Sequence, residues 1–181
     1  MRSAAAVLAL AALLAGCGGG DEESGTQTCT NETFAFTIEY PAGWHTDAVG
    51  REGGECLFFD EQPFDVPENS DFGGTAIEVQ PTQQGYEELV RSLTDARFAT
   101  AVKRDAATVD GRPATRVEAE ATGEGLEDAG TRSYAYVVDR DGRGFLLRTT
   151  ARAGADFGER KRALDRAAQS VRFTGPAPAV P

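Results

Sequence analysis

Histidine is almost missing from this chain: a single imidazole, His45, stands among 181 residues. That excludes metal centres built on several histidines, though not carboxylate chemistry. No Gly-x-Ser-x-Gly, Ser-x-x-Lys or His-Glu-x-x-His occurs, so the commonest hydrolase signatures are absent. No Cys-x-x-Cys occurs either, and only three cysteines are present. Positive charge is scarce, with 18 Lys and Arg against 29 Asp and Glu, and only two of the 18 are lysine. Nucleic acid demands clustered cations, so it is not an expected partner. No apolar run reaches the ~20 residues that cross a bilayer.

The N-terminus does carry a signal. Met1-Arg2-Ser3 is followed by apolar residues from Ala4 to Leu14, then Ala15-Gly16. One positive charge, a short apolar run and small residues before a cleavage point make a secretory signal over 1–16. Leu14-Ala15-Gly16-Cys17 resembles the lipobox of bacterial lipoproteins, in which the cysteine is lipidated and becomes the first residue. One acyl chain binds a membrane reversibly while two or three anchor stably, so the domain itself needs no membrane-binding surface. Cleavage removes Arg2 and takes the formal charge from −11 to −12. Such a domain is repelled by anionic headgroups and is expected to stand off the extracytoplasmic face of the cell membrane.

The two remaining cysteines, Cys29 and Cys56, read as a disulfide in an oxidising compartment. A metal site is the competing reading, but with His45 it would still need a carboxylate to complete a tetrahedron. Residues 17–32 read as the lipidated cysteine and its tether, 33–173 as one globular domain, and 174–181 as a Pro-rich tail. As a Gly-rich coil, residues 18–28 would span ~18 Å.

Within the domain, Phe34, Phe36, Ile38 and Tyr40 alternate with Ala35, Thr37 and Glu39, the period of a half-buried strand. Short strands are expected at Leu57–Phe59 and Thr75–Gln80. Tyr86, Leu89, Val90 and Leu93 fall at i, i+3, i+4 and i+7 and predict a helix with one apolar stripe. Asp110-Gly111 and Asp141-Gly142 predict tight hairpin turns, joining 101–109 to 113–121 and 132–139 to 143–150. Pro113 belongs at a strand start or edge. A last helix is expected over 155–170, with Phe157, Leu164, Ala168 and Val171 on one side. The class is α+β, a single domain with an antiparallel sheet sandwiched between helices.

Three segments together are similar to a known family. Phe34-Ala-Phe-Thr-Ile-Glu-Tyr-Pro-Ala-Gly-Trp44, Asp110-Gly-Arg-Pro-Ala-Thr-Arg116 and the closing Ser170-Val-Arg-Phe173 resemble PsbP-like domains, and the LpqN-type lipoproteins of actinobacteria among them. The resemblance implies a PsbP-like α/β/α arrangement and an accessory or binding role, and it carries no catalytic residue onto this chain.

Candidate sites are few. Trp44, His45 and Tyr136 are the residues expected to line a ligand pocket, if one lies between sheet and helix. Asp60, Glu61, Asp65, Glu68 and Asp71 make an acidic loop, but without the ordered spacing of an EF-hand it reads as solvated rather than as a calcium site. Gly123–Gly130 is Gly-rich but lacks Lys-Ser or Lys-Thr, so it reads as a hairpin loop and not a phosphate cradle. Asn31-Glu32-Thr33 matches a glycosylation sequon, by coincidence in a bacterial lipoprotein. No catalytic residue, metal or cofactor is expected. The expected function is a tethered, non-catalytic binding or accessory module of the cell envelope. The alternatives are a carrier of a small apolar ligand and, behind it, a hydrolase using the loop carboxylates.

Overall fold

The computed structural model describes residues 25–47, 55–66, 75–151 and 156–177. The signal segment, Cys17, Glu68 and Asp71 lie outside these residues.

The alternating segment forms β2 (Phe36–Pro41), with Phe36, Ile38 and Tyr40 buried. It is flanked by β1 (Thr26–Asn31) and β10 (Arg172–Phe173) in a three-stranded antiparallel sheet. The other strands are β3 (His45–Thr46), β4 (Phe58–Asp60), β5 (Ile77–Gly85), β6 (Ala99–Val109), β7 (Arg112–Ala121), β8 (Arg132–Arg140) and β9 (Arg143–Ala151). They form a seven-stranded antiparallel sheet in the order β3-β4-β5-β9-β8-β7-β6. Asp110 and Gly111, and likewise Asp141 and Gly142, all take positive φ, as the two-residue hairpin turns require. Pro113 sits second in β7.

The large sheet is covered on both faces, and the two-residue period of its strands decides which side chain goes where. Helix α1 (Tyr86–Leu93) lays Leu89 and Val90 on Ala135, Val137 and Leu146. Helix α2 (Phe157–Ser170) and the small sheet cover the opposite face, where Tyr134, Tyr136, Val138, Phe145 and Leu147 join Phe36, Ile38 and Leu164. Asp156 caps α2 by accepting the Glu159 amide at 2.9 Å. The α+β class and the sheet between helices are therefore as expected.

Two boundaries differ from the sequence reading. The stretch read as tether through residue 32 contains β1, whose Thr26–Asn31 pair one-for-one with Pro41–Phe36. Its exposed, polar TQTCTN pattern hid a strand held by backbone hydrogen bonds and by Cys29. The start of the Pro-rich tail is also docked: the Arg140 guanidinium donates to the carbonyls of Gly175 and Pro176 at 3.0 and 3.1 Å. Cys29 and Cys56 are bonded, with their Cα atoms 5.8 Å apart.

Candidate functional site

Helix α1 has only eight residues, and that shortness creates the site. It covers the β8–β9 part of its face and stops, leaving the adjoining strands uncovered. Val117 and Ala119 of β7, Ser133 and Ala135 of β8, and Arg148 and Thr150 of β9 form the floor of a cleft of about 140 Å³. Leu93 at the end of α1 makes one wall, Phe98 and Ala99 at the start of β6 another, and Gly125–Glu127 a third.

Local chemistry fixes each wall. After α1, Asp95 accepts the amides of Phe98 and Ala99 through its carbonyl, both at 2.9 Å, so the chain turns sharply into β6. Arg97 pairs with Asp95 at 2.6 Å and lies over the Phe98 ring, 4.9 Å from its centroid. The Asp95 carboxyl is pulled down to about 2 by its hydrogen bonds from Arg97. The β7–β8 loop is closed at its base: Ala121 donates to the Thr131 carbonyl at 2.8 Å and Thr122 to that of Phe98 at 3.1 Å. A Cβ on Gly125 would lie 3.4 Å from Phe98 Cδ1, so the loop rests flat on that ring. Leu126 then projects from the loop, fully exposed.

On the floor, Arg148 is already committed. Its Nε donates to Glu78 Oε2 at 2.7 Å, and Glu78 is completely buried. A floor of small and apolar groups with one neutralised ion pair suits an apolar group of limited size. The volume is well below the ~300–1,000 Å³ of pockets for drug-sized molecules, and close to the ~150 Å³ that accommodates a single benzene-sized ring.

The residues singled out in the sequence lie elsewhere, and the structure does not bring them together. Trp44 is half-buried and lines a polar cleft of about 250 Å³ with Glu61, Glu159, Arg162 and Arg166, on one flank of α2. His45 is exposed on β3, opposite Asp60. Tyr136 is buried on the other flank of α2, where it and Tyr134 donate to Asp165. Burial pushes both phenols up, the reverse of what a phenolate nucleophile needs. Beside them, Lys161 bonded to Glu118 holds that carboxyl below the usual carboxylate range.

The acidic loop does not converge on an ion. Asp60 spends its two oxygens on the amides of Gln62 and Ala76, at 3.0 and 2.8 Å. Among the described residues, no three His, Cys, Asp or Glu side chains are grouped to hold a metal. The sequon amide is occupied too: Asn31 is buried, donating to the Glu55 carbonyl and accepting from the Phe34 amide. Sequence reasoning missed the cleft by α1. Its one local signal is Leu126, a lone large apolar residue inside a Gly-rich acidic loop.

The sequence matches no family model and no curated protein. The fold is similar to the solution structure of cyanobacterial PsbP (CyanoP) from Synechocystis sp. PCC 6803, with 16% identity and a TM-score of 0.47 over 88% of this chain and 98% of that one. It is also similar to a crystal structure from Bacteroides thetaiotaomicron VPI-5482, with 11% identity and a TM-score of 0.46 over 84% of this chain and 49% of that one.

Proposed function

We propose that this chain is a non-catalytic binding or accessory module, exported and tethered through a lipidated Cys17 to the extracytoplasmic face of the cell membrane, in the manner of LpqN-type lipoproteins. One observation carries the binding role: an apolar cleft of about 140 Å³, rimmed by a leucine that no other part of the described domain covers. The address is supported by the lipobox-like Leu14–Cys17 and by the Cys29–Cys56 bond, since such bonds persist in oxidising compartments. A cleft of this size favours one protruding side chain over a lipid tail, and so a protein partner over a carried ligand.

Cross-linking of the tethered protein in its native membrane, followed by mass spectrometry, tests the role. One envelope protein enriched with the full chain, and lost when the domain is deleted but residues 1–24 are kept, is the expected result. A small molecule carried stoichiometrically through purification, with no protein enriched, would move the assignment to a carrier. Turnover of an envelope-derived substrate, abolished by a point substitution, would make the protein an enzyme. The anchor is tested separately: Cys17→Ser should leave the precursor uncleaved and unlipidated, while a substitution at Cys29 should not.

A further inference from the structure

The binding reading leaves open what enters the cleft, and the charge around its mouth answers that, provided the cleft is the binding site. Between Arg116 and Arg132 the chain has no basic residue and five carboxylates. Glu118 faces the opposite side of the sheet, held by Lys161 and Arg132. Glu120 and Glu127 line the cleft, and Glu124 and Asp128 stand on the same loop. Glu120 and Glu124 make no ion pair among the described residues. Glu127 approaches Arg148 only at 4.0 Å, and Arg148 is bound closely by the buried Glu78. Arg97, beside Phe98, is neutralised by Asp95. The mouth is therefore apolar and negative at once: exposed Leu126 and Phe98 set among carboxylates that nothing offsets.

A second feature adjoins it. β6 is the last strand of the large sheet and pairs only with β7, so its outer backbone edge is open next to Phe98 and Ala99. An extended segment gains hydrogen bonds at such an edge, which a small molecule does not. The register shift between Thr100 and Lys103 confines regular pairing to short stretches on either side.

We propose that the cleft between α1, Phe98 and the Leu126 loop is the docking site for a basic segment of a partner protein, which inserts one apolar side chain. A leucine, methionine or phenylalanine fills the space over Val117 and Ala135, and flanking Lys or Arg residues meet Glu120, Glu124 and Glu127. The same carboxylates repel nucleic acid and anionic lipid, so neither is the occupant.

The test uses the mature full-length chain against a displayed library of random twelve-residue peptides. Enriched peptides should share one large apolar residue with at least two Lys or Arg close by. Amide resonances of Leu93, Phe98, Leu126 and Ala135 should move on titration with the best of them. Leu126→Ser should weaken binding by about tenfold or more, as loss of a central apolar contact does. Glu120→Gln with Glu124→Gln should weaken it and flatten its dependence on salt between ~0.05 and ~0.5 M. Both changes are at the surface, and an unchanged melting curve shows that the fold survives them.

Enriched peptides that are acidic or uncharged, no enrichment, or shifts centred on Trp44 or Asp165 would each overturn the proposal. So would hexylamine binding as tightly as the peptide, which would mark a site for small amines. Photo-cross-linkers placed at positions 126 and 162 in the native membrane separate the two levels. Capture from 162 but not from 126 overturns the cleft and leaves a binding module; capture from neither removes both.

Discussion

Tyr134 and Tyr136 share one acceptor: both phenols donate to Oδ1 of Asp165, at 2.7 and 2.8 Å, from neighbouring positions on one face of β8. Their rings meet edge to face, 5.8 Å apart. Burial is the main cause that raises both phenols above the ordinary tyrosine range. A group whose pKa is raised on folding holds its proton more tightly in the native state. Its stabilisation is complete below the unfolded value of ~10 and is lost as pH rises through the folded value. Alkaline titration followed at the phenolate absorbance should show these two tyrosines ionising only as near-UV dichroism collapses. In the Tyr134→Phe, Tyr136→Phe double variant that late amplitude should vanish. Complete ionisation by about pH 11 with the fold intact would contradict the arrangement.

Arg140 is buried with no carboxylate against it. Its guanidinium donates to the carbonyls of Phe34, Ala35, Gly175 and Pro176 and lies 4.5 Å from the Phe173 ring centroid. It thus ties the turn before β2 to the chain beyond β10. The charge is desolvated, which lowers its pKa, and carbonyl dipoles alone offset that cost. Arg140→Met is expected to destabilise by about 2–4 kcal/mol in urea titrations, since four acceptors lose their donor. Arg140→Lys should recover little of that, because a single ammonium cannot reach both carbonyl pairs as the planar fork does. Full stability in either variant would show the tie to be dispensable.

The disulfide links β1 to the segment before β4 across a separation of 27 residues. In the chain-entropy picture a loop of that length is worth about 3–4 kcal/mol. Cys29→Ser with Cys56→Ser should lower the melting temperature by an amount that matches full reduction of the wild type. Loss of β1 alone is the structural consequence to look for, since the strand is otherwise held by its ladder to β2. Amide exchange should quicken from Thr26 to Asn31 and stay slow in β8 and β9. Uniform quickening would mean that β1 unfolds only with the whole domain.

How much of this was legible beforehand depended on whether the determining residues were close in sequence. The α1 stripe and both Asp-Gly turns are set by neighbours three or four residues apart, and they form where expected. β1 was not legible, because a polar edge strand lacks the alternation that burial on one face imposes, and its pairing with β2 is a tertiary fact. Trp44, His45 and Tyr136 were chosen for their chemistry, yet α2 stands between Trp44 and Tyr136. The cleft was out of reach for a different reason. Leu93, Phe98, Val117, Leu126 and Arg148 come from five segments, and what assembles them is where α1 ends.

That placement of α1 depends on a glycine. Gly144 lies in β9 directly beneath the helix: a Cβ there would come 2.6 Å from Leu89 Cδ2 and 3.3 Å from both Leu89 Cβ and Thr82 Cγ2. Leu89 is buried and packs α1 against β8 and β9. Gly144→Ala should therefore lift or rotate the helix and cost about 1–3 kcal/mol by overpacking. Leu89→Ala should cost about 2–4 kcal/mol through the cavity it leaves. The two sites face each other, so the double variant is the informative one. The alanine methyl at 144 would occupy space that the shortened side chain at 89 vacates, and the combined loss should fall at least ~1 kcal/mol short of the sum. Strict additivity in urea titrations would mean that the helix approaches the sheet by some other contact, and that the glycine does not set the edge of the cleft.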